Sequence, residues 1–116
     1  TKEDIFMLFD FIEALFSAQV DILGKSAYAI TAYHKQQQGK YEEALSYYNK
    51  ALKNAKKSID LKTDVDLFYN KALCLLKLRR NKEALEIFDW ILTVNPQHSL
   101  ALSAKTQLVK AIWKVK

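Results

Sequence analysis

GKYEEAL at residues 39–45 and RNKEAL at residues 80–85 decide how this 116-residue chain folds. The two stretches belong to copies of one longer pattern, in which the offset from Ala44 to Ala84 recurs at every aligned position. The aligned pairs are Tyr28 with Phe68, Ala32 with Ala72, Ala44 with Ala84, Tyr48 with Phe88 and Ala51 with Ile91. Each copy reads as a helix, a tight turn and a second helix. A pattern that recurs at a fixed interval predicts a stack of similar structural units.

Composition favours helices throughout the chain. Half of the residues are hydrophobic, which is enough for a real core, and only two Gly and one Pro are present. Because these two residue types break helices and mark turns, their scarcity indicates long helices with short connections. Apolar and polar residues never alternate over a sustained run, so no strand is predicted.

The second copy resembles the tetratricopeptide-repeat (TPR) family. Its aromatic Phe68, small Ala72 and Ala84, aromatic Phe88 and terminal Pro96 have the spacing of that family's pattern. The first copy follows with departures. Lys35 replaces a tyrosine of the family pattern, Thr31 and Lys71 replace leucines, and the copy runs about six residues longer than the usual repeat of about 34.

The resemblance implies an all-α, TPR-like right-handed superhelix of antiparallel helix pairs with capping helices at both ends. Small residues would let the helices of a pair approach, and large ones, Tyr28 among them, would fill the gaps between pairs. The extra length of the first copy predicts a second helix that continues through Lys53 toward Ile59. The expected division is an N-terminal apolar helix at 1–24, repeats at 25–62 and 63–98, and a capping helix at 99–116.

The two ends of the chain have different patterns. Phe6, Phe9 and Phe16 belong to an N-terminal segment so apolar that more than one side of the helix must be covered. The cover is expected from the next helix, from a second copy of the chain or from another partner. At the other end, Ser99 is a helix start signal. An apolar stripe follows it, made of Ala101, Ala104, Leu108, Ile112 and Val115, with Trp113 at its edge.

Charge divides the chain at about residue 24. Residues 1–24 carry one basic and five acidic side chains, a net −4, whereas residues 25–116 carry 17 basic and eight acidic ones, a net +9. The excess of basic side chains at residues 25–116 indicates either that the partner is acidic or simply that these side chains form a solvated surface. Nucleic-acid binding is the lowest-ranked alternative, because the lysine stripe Lys50, Lys53, Lys56 and Lys57 is short and lacks stacking aromatic residues in register.

Nothing in the sequence indicates an enzyme. His34 and His98 lie far apart in the repeat scheme, and with the single Cys74 they do not form a zinc site, so neither a metal nor a cofactor is expected. Cys74 is read as a small core residue. The lone cysteine and the lack of a secretory or membrane-spanning run fit a cytoplasmic protein or the cytosolic face of an organelle. Since the sequence begins with Thr1, it is interpreted as a processed or cut fragment, and targeting segments could lie outside it.

The resemblance also implies a binding surface, because TPR arrays present the first helix of each pair on a concave groove. The corresponding partner-binding candidates are Tyr33, Gln36 and Gln37 in the first copy, Tyr69, Asn70, Leu73 and Lys77 in the second, and Ser103 and Gln107 in the cap. Asn70 either pairs with a peptide backbone or satisfies a neighbouring helix. The lysine and arginine set that grips chaperone carboxylates in some relatives is missing, which favours a hydrophobic segment as guest.

The leading functional hypothesis is therefore a non-enzymatic scaffold or adaptor that holds a peptide or helix of another protein in this groove. The alternative is self-assembly as a dimer through the N-terminal aromatic helix, with Phe6, Phe9 and Phe16 in the interface. Trp90 lies on the polar side of its helix and is either an interface anchor or a residue that packs over a neighbouring helix.

Overall fold

In the computed structural model the backbone is described for residues 1–53 and 61–115, and the side chains for most of these. Within these ranges the chain forms five α-helices and no strand, which confirms the all-α prediction. The helices are α1 (Lys2–Gln37), α2 (Tyr41–Ala51), α3 (Leu61–Lys77), α4 (Asn81–Val94) and α5 (Ser99–Val115).

Each helix packs mainly on the next one along the chain, α1 on α2, α2 on α3, α3 on α4 and α4 on α5. The small residues predicted to allow this close packing are all fully buried, namely Ala32, Ala44, Ala72 and Ala84. Two clusters form the core. One joins α1, α2 and α3 around Tyr48 and Cys74, and the other joins α3, α4 and α5 around Phe88 and Leu75. The repeat alignment thus predicts the packing correctly.

Both repeats turn between their helices in the same way. After α1, the Gly39 N–H donates to the Gln36 carbonyl and the Lys40 N–H donates to the Lys35 carbonyl, over 3.0 and 2.9 Å. After α3, Arg79 and Arg80 make the equivalent two bonds. This is the Schellman ending, which requires a left-handed residue just past the helix. Gly39 takes it with φ 77° and Arg79 with φ 60°.

The N-terminal segment does not form a separate helix. It continues into the first helix of the first repeat, and α1 runs unbroken for 36 residues, about 54 Å. Its partner α2 has 11 residues, about 16 Å, so most of the N-terminal half of α1 extends beyond it. The molecule is accordingly elongated, 72 × 31 × 20 Å, with a radius of gyration of 18.5 Å against about 13 Å for a compact chain of this length. We call residues 2–24 the arm.

The predicted extension of the second helix is wrong as far as the chain is described. Helix α2 ends at Ala51, and Leu52 and Lys53 form a turn. Ala51 and Leu52 are both buried in the cluster that contains Cys74. Lys56, Lys57 and Ile59 lie outside the described residues.

Tyr28 does not fill a gap in the core as predicted, since 40% of it is exposed. Its ring lies 6.3 Å from that of Tyr47, and the Lys50 ammonium lies 5.7 Å from the Tyr28 ring centre. In the second repeat, Trp90 takes the position of Lys50 and packs on Phe68 with 4.7 Å between ring centres. A lysine covers less of an aromatic ring than an indole does, which leaves Tyr28 in solvent.

Helix α5 begins at Ser99, as predicted. The residue that caps it is His98, whose Nδ1 accepts a 3.0 Å hydrogen bond from the Ala101 N–H. The predicted stripe is buried at Ala101 and Leu108 but 37% exposed at Ile112, near the helix end. The side chain of Val115 lies outside the described residues.

One buried ion pair ties α1 to α3. Asp64, only 1% exposed, accepts a hydrogen bond from the Lys25 ammonium through Oδ1. Its Oδ2 is buried and has no hydrogen-bond partner in the described part of the chain. Lys25 therefore holds the first helix of one repeat against the first helix of the next.

Candidate partner-binding surface

The α1 portion of the predicted groove is exposed and partly apolar. Ala32 marks the side of α1 that is buried against the core, whereas Tyr33 and Gln37 lie on another side and are exposed, Tyr33 by 52%. Ile30, one turn from Tyr33, is 60% exposed. An isoleucine and a tyrosine adjacent on a helix offer an apolar surface with one polar hydroxyl, which suits an apolar guest.

Sequence reasoning missed Ile30, although a signal was available. The offset that aligns Ala32 with Ala72 also aligns Ile30 with Asn70. The candidate role of Asn70 therefore points to Ile30 as its counterpart.

The partner-binding candidates on α3 differ in how far their side chains are exposed to solvent. Leu73 is half-buried and Lys77 is exposed. Asn70 is half-buried, and its amide makes no hydrogen bond to any of the residues that the structure describes. An amide with an available donor and acceptor can bind the backbone of an extended peptide.

Two other candidates already have contacts within the chain. The Gln36 side-chain oxygen accepts a 2.6 Å hydrogen bond from the Tyr48 hydroxyl. Tyr69 packs between Phe88 and His98, with ring centres 6.1 and 5.7 Å away. Both side chains are tied to the core. Their role in binding stays a prediction, and it is a weaker one than that of Asn70.

The predicted groove also includes α5, where Ser103 and Gln107 are exposed. Leu100, near the start of the same helix, is 59% exposed. Thus α1 and α5 both present aliphatic or aromatic groups beside polar ones, and α3 contributes Asn70 and Leu73.

Trp90 packs against the neighbouring helix but is not fully covered. Its indole lies on Phe68 of α3 and remains 38% exposed. Beside it is an open cavity of about 300 Å³, also lined by Lys71, Glu83 and Glu86. Burial lowers the pKa of Lys71, and the negative charge of Glu83 opposes that shift. The contact with Phe68 favours the packing interpretation of Trp90, while its exposed edge leaves room for a partner.

The exposed apolar residues of the arm form a second candidate surface. Ile5, Met7, Leu8 and Ile12 are each at least half exposed. Ile5, Leu8 and Ile12 lie on one side of the helix, and Met7 lies on the opposite side. The side chains of Phe6, Phe9 and Phe16 lie outside the described residues, so their interface role stays a prediction.

Cys74 is a core residue, as predicted. It is fully buried, and burial raises the pKa of its thiol to about 11. Burial also raises the pKa of Tyr48, with smaller contributions from the charges of Cys74 and Tyr33. A thiol that stays protonated is a poor nucleophile, so this site is suited to packing and not to covalent catalysis.

Among the residues that the structure describes, no three His, Cys, Asp or Glu side chains cluster closely enough to hold a metal. None of the helices in those ranges has the length and hydropathy needed to cross a bilayer.

The family comparison covers most of the chain. The family model described as "Tetratricopeptide repeat" matches residues 25–97. The match begins just after the arm and ends before α5, so it includes the four helical segments whose small residues are buried. No curated protein matches the sequence.

Proposed function

Because the chain belongs to the tetratricopeptide-repeat family, whose repeats generally mediate protein–protein interaction, we propose that it is a non-enzymatic adaptor. Its groove, formed by the exposed sides of α1, α3 and α5, takes a helix or an extended segment of another protein. The guest is mainly apolar, with a backbone or polar group that pairs with Asn70.

The observation that carries this proposal is the exposure of Tyr33 and Ile30 beside the Asn70 amide, which makes no hydrogen bond within the described part of the chain. A folded repeat gains nothing from leaving a tyrosine and an isoleucine half in water, whereas a bound guest would bury both. The Asn70 amide would also orient the guest, because it can pair with one hydrogen-bond donor and one acceptor of the guest.

The test is a displayed peptide library selected on the immobilised chain, followed by calorimetry with the enriched peptide. Tyr33→Ala combined with Asn70→Ala removes one aromatic anchor and one hydrogen-bonding group, which predicts about 100-fold weaker binding. The matched control is Ser46→Ala with Asn49→Ala, two exposed polar positions on α2. Both variants should keep the wild-type circular dichroism. Unchanged affinity in the Tyr33 and Asn70 variant would show that the groove is not the site.

We also propose self-association through the arm as a second function. What favours it is the exposure of Ile5, Leu8 and Ile12 on one side of a helix that extends past its partner α2. Contiguous apolar surface of this kind is typical of an interface. Light scattering should show a mass above that of the monomer at high concentration, and a monomer at every concentration would refute this proposal.

A further inference from the structure

Helix α5 has an uncovered apolar side. Leu102 and Trp113 are 52% and 72% exposed, and the half-buried Val109 lies between them on the same side of the helix. Contact with water is unfavourable for such large apolar side chains. We call Leu102, Val109 and Trp113 the α5 stripe.

An alignment of α5 with α3 explains why this side of α5 is uncovered. Leu67 and Cys74 are buried two turns apart on α3, and Ala101 and Leu108 are buried with the same spacing on α5. Aligning these two pairs places Leu102 where α3 has Phe68, and Val109 where α3 has Leu75. On α3 this side is covered by α4, as Phe68 packs on Trp90 and Leu75 lies in the cluster with Phe88. The α5 stripe is thus the surface on which a further helix would pack.

The arm has the properties that such a helix needs. It is helical, about 34 Å long, and its stripe of Ile5, Leu8 and Ile12 is exposed. Helix α5 has 17 residues, about 25 Å, so the arm can cover its whole length. The arm of the same molecule continues straight from α1, which packs at the far end of the stack from α5. An arm that packs on α5 therefore belongs to another molecule.

Electrostatic complementarity also favours an arm packed on α5. The arm has a net charge of −4, whereas α5 contains Lys105, Lys110 and Lys114 and no acidic residue. Two arms packed against each other would bring like charges together, and an arm on α5 brings opposite charges together. Lys105 already pairs with Asp89 over 2.6 Å, whereas Lys110 is exposed and carries a charge opposite to that of the arm.

We infer that the arm of one copy docks along the α5 stripe of a second copy and takes there the place that α4 takes on α3. This inference rests on the proposed self-association and specifies its geometry. We call this contact head-to-tail, because it joins two different surfaces, the arm and the α5 stripe, and not two arms.

The experiment uses two variants that lose apolar surface and keep their charge. The arm variant is Ile5→Gln with Ile12→Gln, and the stripe variant is Leu102→Gln with Trp113→Gln. Glutamine is a good helix former, and all four positions are exposed, so both variants should fold as the wild type does. Sedimentation equilibrium is measured from about 1 μM to about 1 mM. Each variant alone should associate at least about 100-fold more weakly than the wild type.

Mixing the two variants distinguishes head-to-tail contact from other pairings. The mixture keeps one intact arm and one intact stripe, so a one-to-one complex should form with nearly wild-type affinity. Self-association of the stripe variant at wild-type strength, or a mixture that stays monomeric, would overturn the inference.

Salt and two further variants complete the test. Opposite charges predict that wild-type association weakens between about 0.05 and about 0.5 M NaCl, and strengthening with salt would instead indicate an arm-to-arm contact. Met7→Gln, on the other side of the arm, and Leu100→Gln, on the groove side of α5, should leave association unchanged. Weaker association of the Leu100→Gln variant would place the arm in the groove and overturn the inference. A wild type that stays monomeric refutes the underlying self-association itself.

Discussion

The left-handed turn residues give a matched pair of stability predictions. Gly39 and Arg79 occupy equivalent positions in the two repeats, with φ 77° and φ 60°. A residue with a Cβ pays about 1–2 kcal/mol for this conformation, and glycine does not. We therefore expect Gly39→Ala to destabilise the fold and Arg79→Gly to stabilise it.

The magnitude follows from two opposing terms. The conformational cost of about 1–2 kcal/mol is reduced by about 0.4–1 kcal/mol, because glycine also makes the unfolded chain more flexible. Nothing lies within 4 Å of a Cβ built on Gly39, so no steric clash adds to the cost. Arg79 is exposed, and its guanidinium makes no hydrogen bond or ion pair to any described residue. Each substitution should change the free energy of unfolding by about 0.5–1 kcal/mol, in opposite directions.

Thermal and urea denaturation measure both effects. A change of this size corresponds to a shift in Tm of about 2–5 °C for a domain of this length. Arg79→Ala serves as the control, because it removes the guanidinium and keeps the left-handed cost, so its Tm should stay near that of the wild type. If Arg79→Gly lowers the Tm, or if Gly39→Ala leaves it unchanged, the assignment of the turn strain is incorrect.

Further predictions concern the core, the ion pair, the cap and the ends. The Cys74 thiol should resist Ellman's reagent near pH 8 until the chain unfolds, and fast reaction in the native state would contradict its burial. Because folding raises its pKa to about 11, Cys74 stabilises the fold below about pH 9 and loses that contribution toward pH 11, so Cys74→Ala should flatten the alkaline fall in Tm. Lys25→Met should cost about 3 kcal/mol by leaving Asp64 buried without its cation, and adding Asp64→Leu should restore most of it, as a double-mutant cycle in urea would show. His98→Ala should cost about 1 kcal/mol in the same assay through loss of the α5 cap, and no change would mean that Nδ1 is not the acceptor. Finally, the Tm of the wild type should rise with protein concentration, as expected when association covers a terminal helix, and a constant Tm would contradict self-association.

The parts of this fold that repeat can be predicted from the sequence. Ala44 and Ala84 are buried because the close approach of paired helices leaves no room for a larger side chain, and the constant offset between the repeats identifies both at once. The burial of Cys74 follows from its place between apolar neighbours on a first helix. The Tetratricopeptide repeat match confirms the family, and the packing of adjacent helices agrees with it.

The parts that do not repeat are harder to derive. Gly24 suggests a boundary between the arm and the first repeat, yet it lies inside α1, because one glycine costs a helix only about 1 kcal/mol. Ser99 is the expected cap of α5, but His98 supplies the acceptor. The α2 helix stops at Ala51, an end that no local signal in the sequence shows.

The arrangement of covered and uncovered surfaces links the fold to its proposed roles. In a helical repeat, stability is approximately a sum of terms for each unit and terms for each contact between neighbours. Among the described helices, α2, α3 and α4 pack on a helix on each side, whereas α1 and α5 each pack mainly on one. Their exposed residues, Ile12 at one end and Trp113 at the other, leave apolar surface where another contact term is available. The groove differs, because Tyr33 and Asn70 lie along the stack and not at its ends. A guest bound in the proposed groove would therefore leave both ends open, and the two proposed functions would use separate surfaces.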